Sequence, residues 1–120
     1  MKKILLLLLM FVAISVPSFA TNWKYLTTST DFTEWFIDKD SIKYYKDYAD
    51  VWEKGISPDG TEKVMLNRIT TNKMMAIIQG VTYDKNGNVK YSMDYKYYPS
   101  YSKILPDSIA ESLYIAVYYS

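Results

Sequence analysis

Neither cysteine nor histidine occurs in the 120 residues of this chain. Without cysteine there is no disulfide to supplement a small core, a device that exported domains of this size often use. Nor is there the cysteine that bacterial lipoprotein anchoring needs at the signal cleavage site, so no membrane anchor is expected. With both residue types missing, the common nucleophile–base pairs and most zinc sites are excluded. Carboxylate or Ser/Lys chemistry is all that is left to an enzyme. A block of like charge is missing too: the formal net charge is +1, and nucleic-acid affinity comes mainly from phosphate neutralisation, so no nucleic-acid partner is expected. No linker, repeat or low-complexity stretch divides the chain, which fits one domain with one modest core.

What is present begins with a leader. Lys2 and Lys3 precede an apolar run from Ile4 to Val16 broken only by Ser15, then Pro17 and the small-residue pattern Ser18-Phe19-Ala20. The run is shorter than the roughly 20 apolar residues that span a bilayer. This pattern predicts a secretory signal peptide over residues 1–20, cut after Ala20, and a mature domain over 21–120 that is periplasmic or secreted. Removal takes away two basic residues and no acid, turning the net charge from +1 to −1. All thirteen tyrosines lie after the leader and favour strands and aromatic contact surfaces.

Along the mature part, Asn22 to Ser29 and Thr33 to Ile37 read as strands joined by a turn at Thr30-Asp31. Asp38-Lys39-Asp40-Ser41 reads as a tight corner, since such side chains bond nearby backbone groups. Asp50 to Gly55, entered as early as Tyr48, is a third strand, followed by the Ser57-Pro58-Asp59-Gly60-Thr61 turn. Val64 to Thr71 and Met74 to Tyr83 are linked at Asn72-Lys73. Asp84 to Asn88 is a hairpin turn, because Asn-Gly tolerates positive φ. Val89 to Tyr95 alternates cleanly and predicts a half-buried antiparallel strand. Then the period changes: Ile109, Leu113, Ala116 and Val117 share a helical face, and Ser108 with Glu111 has capping-box spacing. The expected fold is α+β, an antiparallel sheet of about six strands with a C-terminal α-helix packed on one face.

Several segments in this order resemble the surface-adhesin protein E family of small exported bacterial proteins. They are Trp23-Lys24-Tyr25, Phe36-Ile37-Asp38-Lys39-Asp40-Ser41-Ile42, Val51-Trp52, Tyr83-Asp84-Lys85-Asn86-Gly87 and Pro106-Asp107-Ser108-Ile109-Ala110-Glu111. The resemblance covers almost the whole mature chain and implies a sheet packed by a C-terminal helix, often as a homodimer. It further implies a binding role towards host matrix or plasma proteins. Relatives commonly tie helix to sheet through two cysteines, which would align near Thr71 and Tyr118. The lipid anchor of the adhesin member is not expected here, since no cysteine is present.

Asp38 and Asp40 are read as turn-holding carboxylates with Ser41, not as a catalytic pair, because acid–base work needs a partner geometry that nothing here supports. Asp84, Asn86 and Asn88 mimic the opening of a calcium loop. The sixth and twelfth positions, however, hold Val89 and Tyr95 in place of Gly and Glu, so the hairpin reading wins and no metal or other cofactor is expected. Tyr44, Tyr45 and Tyr48 form one aromatic cluster, and Tyr95, Tyr97, Tyr98 and Tyr101 another. Consecutive tyrosines cannot both face inward on a strand, so exposed rings are expected, and contiguous exposed rings usually have a partner. Lys43, Lys46, Lys96 and Lys103 flank them, diluted by Asp47, Asp50 and Asp94, as on a solvated face. The reading is a non-enzymatic binding protein of the bacterial envelope with a host-matrix or envelope protein as partner. The alternative is a periplasmic structural or regulatory protein, such as an inhibitor of an envelope enzyme.

Overall fold

Period-two alternation dominates the middle of the chain, and in the computed structural model of the protein it becomes one antiparallel sheet. The structure describes residues 22–119; the expected signal peptide over 1–20 and the expected start at Thr21 lie outside them. The strands are β1 (Lys24–Thr28), β2 (Glu34–Ile37), β3 (Lys43–Tyr44), β4 (Tyr48–Ile56), β5 (Glu62–Thr70), β6 (Met74–Tyr83), β7 (Val89–Asp94) and β8 (Ser102–Lys103). One α-helix follows, α1 (Ile109–Tyr118).

Eight strands stand where about six were expected, because two rows of the sheet are interrupted. The spatial order is β1-β2-β4-β5-β6-β7, with β3 also on β4 and β8 also on β6. Along β4, β2 pairs with Glu53–Ile56 while β3 pairs with Ala49 and Asp50. Between them lies the Asp38 corner, a 3-10 turn over Lys39–Ser41. Along β6, β7 pairs with Gln79–Tyr83 and β8 with Met74 and Met75. The segment 95–101 leaves the sheet between these two.

Strand β4 shows why the sheet has a core face. Ala49, Val51, Glu53 and Gly55 are buried and alternate with half-buried residues, as a pleated strand requires. Val51 faces Asn67 and Ala49 faces Ile69 on β5. Helix α1 covers one end of this face: Leu113 and Val117 join Ile37, Ala49, Val51, Ile69 and Ile104 in one cluster. Burying one such aliphatic side chain contributes about 1.5–3 kcal/mol. Tyr114 is buried with them, while Ile115 is 49% exposed, off the apolar stripe as its position predicts.

The helix starts on Ser108, whose Oγ accepts from the Glu111 amide at 3.1 Å. The return half of the expected capping box is displaced by one residue. Glu111 Oε1 accepts from the Asp107 amide at 3.1 Å, and Asp107 sits at φ 61°. Two tyrosine hydroxyls tie the helix to the sheet. The Tyr118 hydroxyl donates to Ile69 O at 2.7 Å and the Tyr114 hydroxyl to Thr71 O at 3.3 Å.

One element is more exposed than its pattern predicts. Of the β7 residues only Met93 is half-buried, while Val89 is 61% and Tyr91 52% exposed. Alternation identified the strand. It could not reveal that β7 lies at the end of the strand order, beyond the cluster that α1 covers.

Candidate functional site

The two tyrosine clusters, separated by almost fifty residues in sequence, meet on the sheet face opposite α1. Asp50, Arg68 and Ala76 stand in register across β4, β5 and β6. Arg68 is the chain's single arginine. Its Nε donates to Asp50 Oδ1 at 2.9 Å and its Nη2 to Oδ2 at 3.0 Å, a two-pronged pair. The hydrogen bonds to Asp50 raise the guanidinium's proton affinity, and a further one to the Tyr101 side chain adds to it, so Arg68 stays charged. The guanidinium lies 4.2 Å from the Tyr48 ring centre, within range of a cation–π contact. Tyr45 stacks on Tyr48 at 4.7 Å. A continuous strip therefore runs Tyr45–Tyr48–Arg68–Tyr101.

Next to this strip, the interrupted row along β6 leaves a cavity of about 250 Å³. Met75, Ala76 and Ile77 line it from β6, and Tyr95, Tyr98, Ser100 and Ser102 from the segment opposite. That segment is shaped by short-range bonds. The Tyr95 amide donates to Ile78 O at 2.7 Å, the Tyr98 amide to Tyr95 O at 3.0 Å, and Asp94 Oδ1 accepts from the Lys96 amide at 3.1 Å. Tyr97 and Tyr98 are 79% and 89% exposed, and the Lys96 ammonium sits 5.1 Å from the Tyr97 ring.

Tyr44 does not belong to this surface. Its register partner Ala49 faces the core, its hydroxyl donates to Val117 O at 2.6 Å, and its ring meets Tyr118 edge-on at 6.3 Å. It fastens the end of α1. Asp38 is buried and its Oδ1 accepts from the Asp40 amide at 3.1 Å. Asp40 accepts from the Asn22 side chain, and the Ser41 hydroxyl reaches Asp38 O at 3.4 Å. Asp84 Oδ1 accepts from both the Asn86 and Asn88 amides at 2.9 Å, with Gly87 at φ 85°. Among the described residues no three acidic side chains come together as they would around a metal ion.

Sequence reading passed over Arg68, although a lone arginine on a strand, in phase with Leu66 and Thr70, was a visible signal. It also passed over Glu53 and Asn67, both buried on the core face. Asn67 Nδ2 donates to Glu53 Oε1 at 2.9 Å. Burial pushes the Glu53 carboxyl up to about 7, against the opposing pull of that hydrogen bond.

With the geometry described, likeness to known proteins adds nothing further. No protein-family model, no curated protein and no solved structure matches the chain.

Proposed function

We propose that this is an exported, non-enzymatic binding protein of the bacterial envelope. In this reading it holds a host-matrix or envelope protein through the tyrosines around the β6 cavity. The observation that carries the reading is Tyr98, 89% exposed at a cavity lined also by Met75, Ala76 and Ile77. Exposed tyrosine beside an apolar depression is the usual composition of a recognition surface, because the ring offers a large apolar face and a polar tip. Tyr95 and Tyr101, 51% and 41% exposed, extend the surface towards Arg68. The Asp50 pair already holds that guanidinium, which favours a role in shaping the surface over one in proton transfer. The leader-like residues 1–20 support export, and the resemblance of the motif order to adhesin E proteins is the ground for an adhesive role.

Cell fractionation combined with a binding assay tests this. The protein should reach the cell surface or the medium and bind immobilised matrix or plasma proteins. Tyr97→Ser/Tyr98→Ser should lower that binding at least tenfold, the size expected from losing about 1.4 kcal/mol or more at a recognition hot spot. Circular dichroism of the variant should match the parent. Retention in the periplasm would sink the host-matrix partner and leave only an envelope protein, and binding unaffected by the substitutions sinks the proposal.

A further inference from the structure

Glu53 and Asn67 make a pair whose unused atoms fit together only under one condition. They lie on the core face of adjacent strands, where Glu53 faces Ile37 on β2 and Met65 on β5. They are 4% and 0% exposed. One hydrogen bond joins them, from Asn67 Nδ2 to Glu53 Oε1. Two buried atoms lack a partner, Glu53 Oε2 and Asn67 Oδ1. Both are acceptors when Glu53 is ionised, so neither relieves the other, and an unpaired buried acceptor costs about 1–3 kcal/mol. A single proton on Oε2 would make that oxygen a donor, the group that the unpaired acceptor Asn67 Oδ1 lacks.

We propose that Glu53 is held as a neutral carboxylic acid sharing its proton with Asn67 Oδ1, and that loss of this proton loosens β2 from β4, giving the fold a pH-responsive seam. The two groups then form a closed acid–amide ring of two hydrogen bonds, with no buried charge and no orphaned atom. Ionisation restores both orphans and leaves a bare carboxylate in the core, which must draw in water. The seam lies on the β2 side, where Trp35 covers Gly55 and Ile37 covers Glu53.

Among the described residues, the surroundings offer the carboxylate no compensating charge. On β2 the neighbours on this face are Trp35 and Ile37, on β5 Met65 and Asn67, and on β6 Ile77 and Gly80. The lysines sharing the face, Lys24 on β1 and Lys63 on β5, are exposed. On α1, Glu111 lies 3.7 Å from Lys73, and Tyr114, Tyr118 and the nearby Tyr44 spend their hydroxyls on backbone carbonyls. At the corner, Asp38 is engaged with the Asp40 amide. Burial and Asn67 are what set the proton affinity of Glu53.

Two measurements test the proposal on the purified protein and its Glu53→Gln variant. Glutamine keeps the shape and supplies a permanent donor and acceptor for the same ring. The side-chain carboxyl carbon of Glu53, followed by NMR, should titrate with a midpoint near 7. The urea midpoint of the parent should fall between about pH 5 and about pH 8, and that of Glu53→Gln should stay level across the range. Exchange of the β2 amides Glu34 to Ile37 should quicken over the same interval in the parent alone, after correction for the intrinsic pH dependence. An NMR midpoint in the ordinary glutamate range near about 4.3, or a Gln variant that keeps the parent's slope, overturns the proposal. Should Glu53→Gln fail to fold, the parent's carboxyl titration decides by itself.

Discussion

At Gly55 the missing side chain makes room for a neighbour. A Cβ built there would meet the Trp35 ring at 2.6 Å, and the ring belongs to the residue directly across from it on β2. An aromatic ring laid on a cross-strand glycine restores the apolar cover that glycine fails to supply. Gly55→Ala should therefore overpack this contact and cost about 1–3 kcal/mol, read as a lower urea midpoint with an unchanged slope. Phe32 is the opposite case. It holds φ at 66° with 75% of its surface exposed, a left-handed conformation that asparagine tolerates better than a bulky aromatic. Phe32→Asn should raise stability by up to about 1 kcal/mol, visible in calorimetry as a higher Tm. A fall in Tm would mean that the ring makes contacts worth more than the backbone relief.

Among the elements, α1 depends most on tertiary contact, since ten residues form little helix on their own in water. Its register on the sheet is set by tyrosine hydroxyls as well as by Leu113 and Val117. Tyr118→Phe removes the donor to Ile69 O and should cost about 0.5–1.5 kcal/mol. Tyr114→Phe, acting on the longer bond to Thr71 O, should cost less, and denaturation curves of the two variants would rank them. Periodicity made most of this level legible. β4, β5 and β6 came within two residues of their observed limits, because long alternating runs between turn residues leave little choice. The two-residue strands β3 and β8 were hidden, since a pair of residues has no period and their pairing depends on where β4 and β6 happen to pass. The buried Tyr114 escaped notice for a related reason: its polar tip masked a ring that packs as a core residue.

For the molecule as a whole, an antiparallel sheet with a C-terminal helix and the tyrosine clusters were legible in the sequence, while the meeting of the clusters through Arg68 required the strand order. The pH response is also a property of the whole chain, and it follows from two sets of carboxyls working in opposite directions. The Ser29 hydroxyl and Thr33 amide hold Asp31 low, the Thr61 amide holds Asp59 low, and the Asn88 and Asn86 amides hold Asp84 low. A carboxyl lowered on folding stabilises the fold above its ordinary value of 3.8 and loses that contribution as pH falls below it. These groups lie in surface turns, so solvent screening keeps the acid limb shallow. Glu53 runs the other way, raised from 4.5 to about 7. Below 4.5 both folded and unfolded chains hold its proton. As pH climbs from 4.5 to about 7 the unfolded chain releases the proton first, and stability falls by about 3 kcal/mol in all before levelling off. Stability should therefore peak at mildly acidic pH, around pH 4 to 5, below the pH 5–8 range common for proteins. Urea midpoints collected from about pH 3 to pH 9 would locate the maximum. A peak at neutral pH or above would mean that Glu53 ionises freely in the folded chain, and the seam between β2 and β4 would then be indifferent to acid.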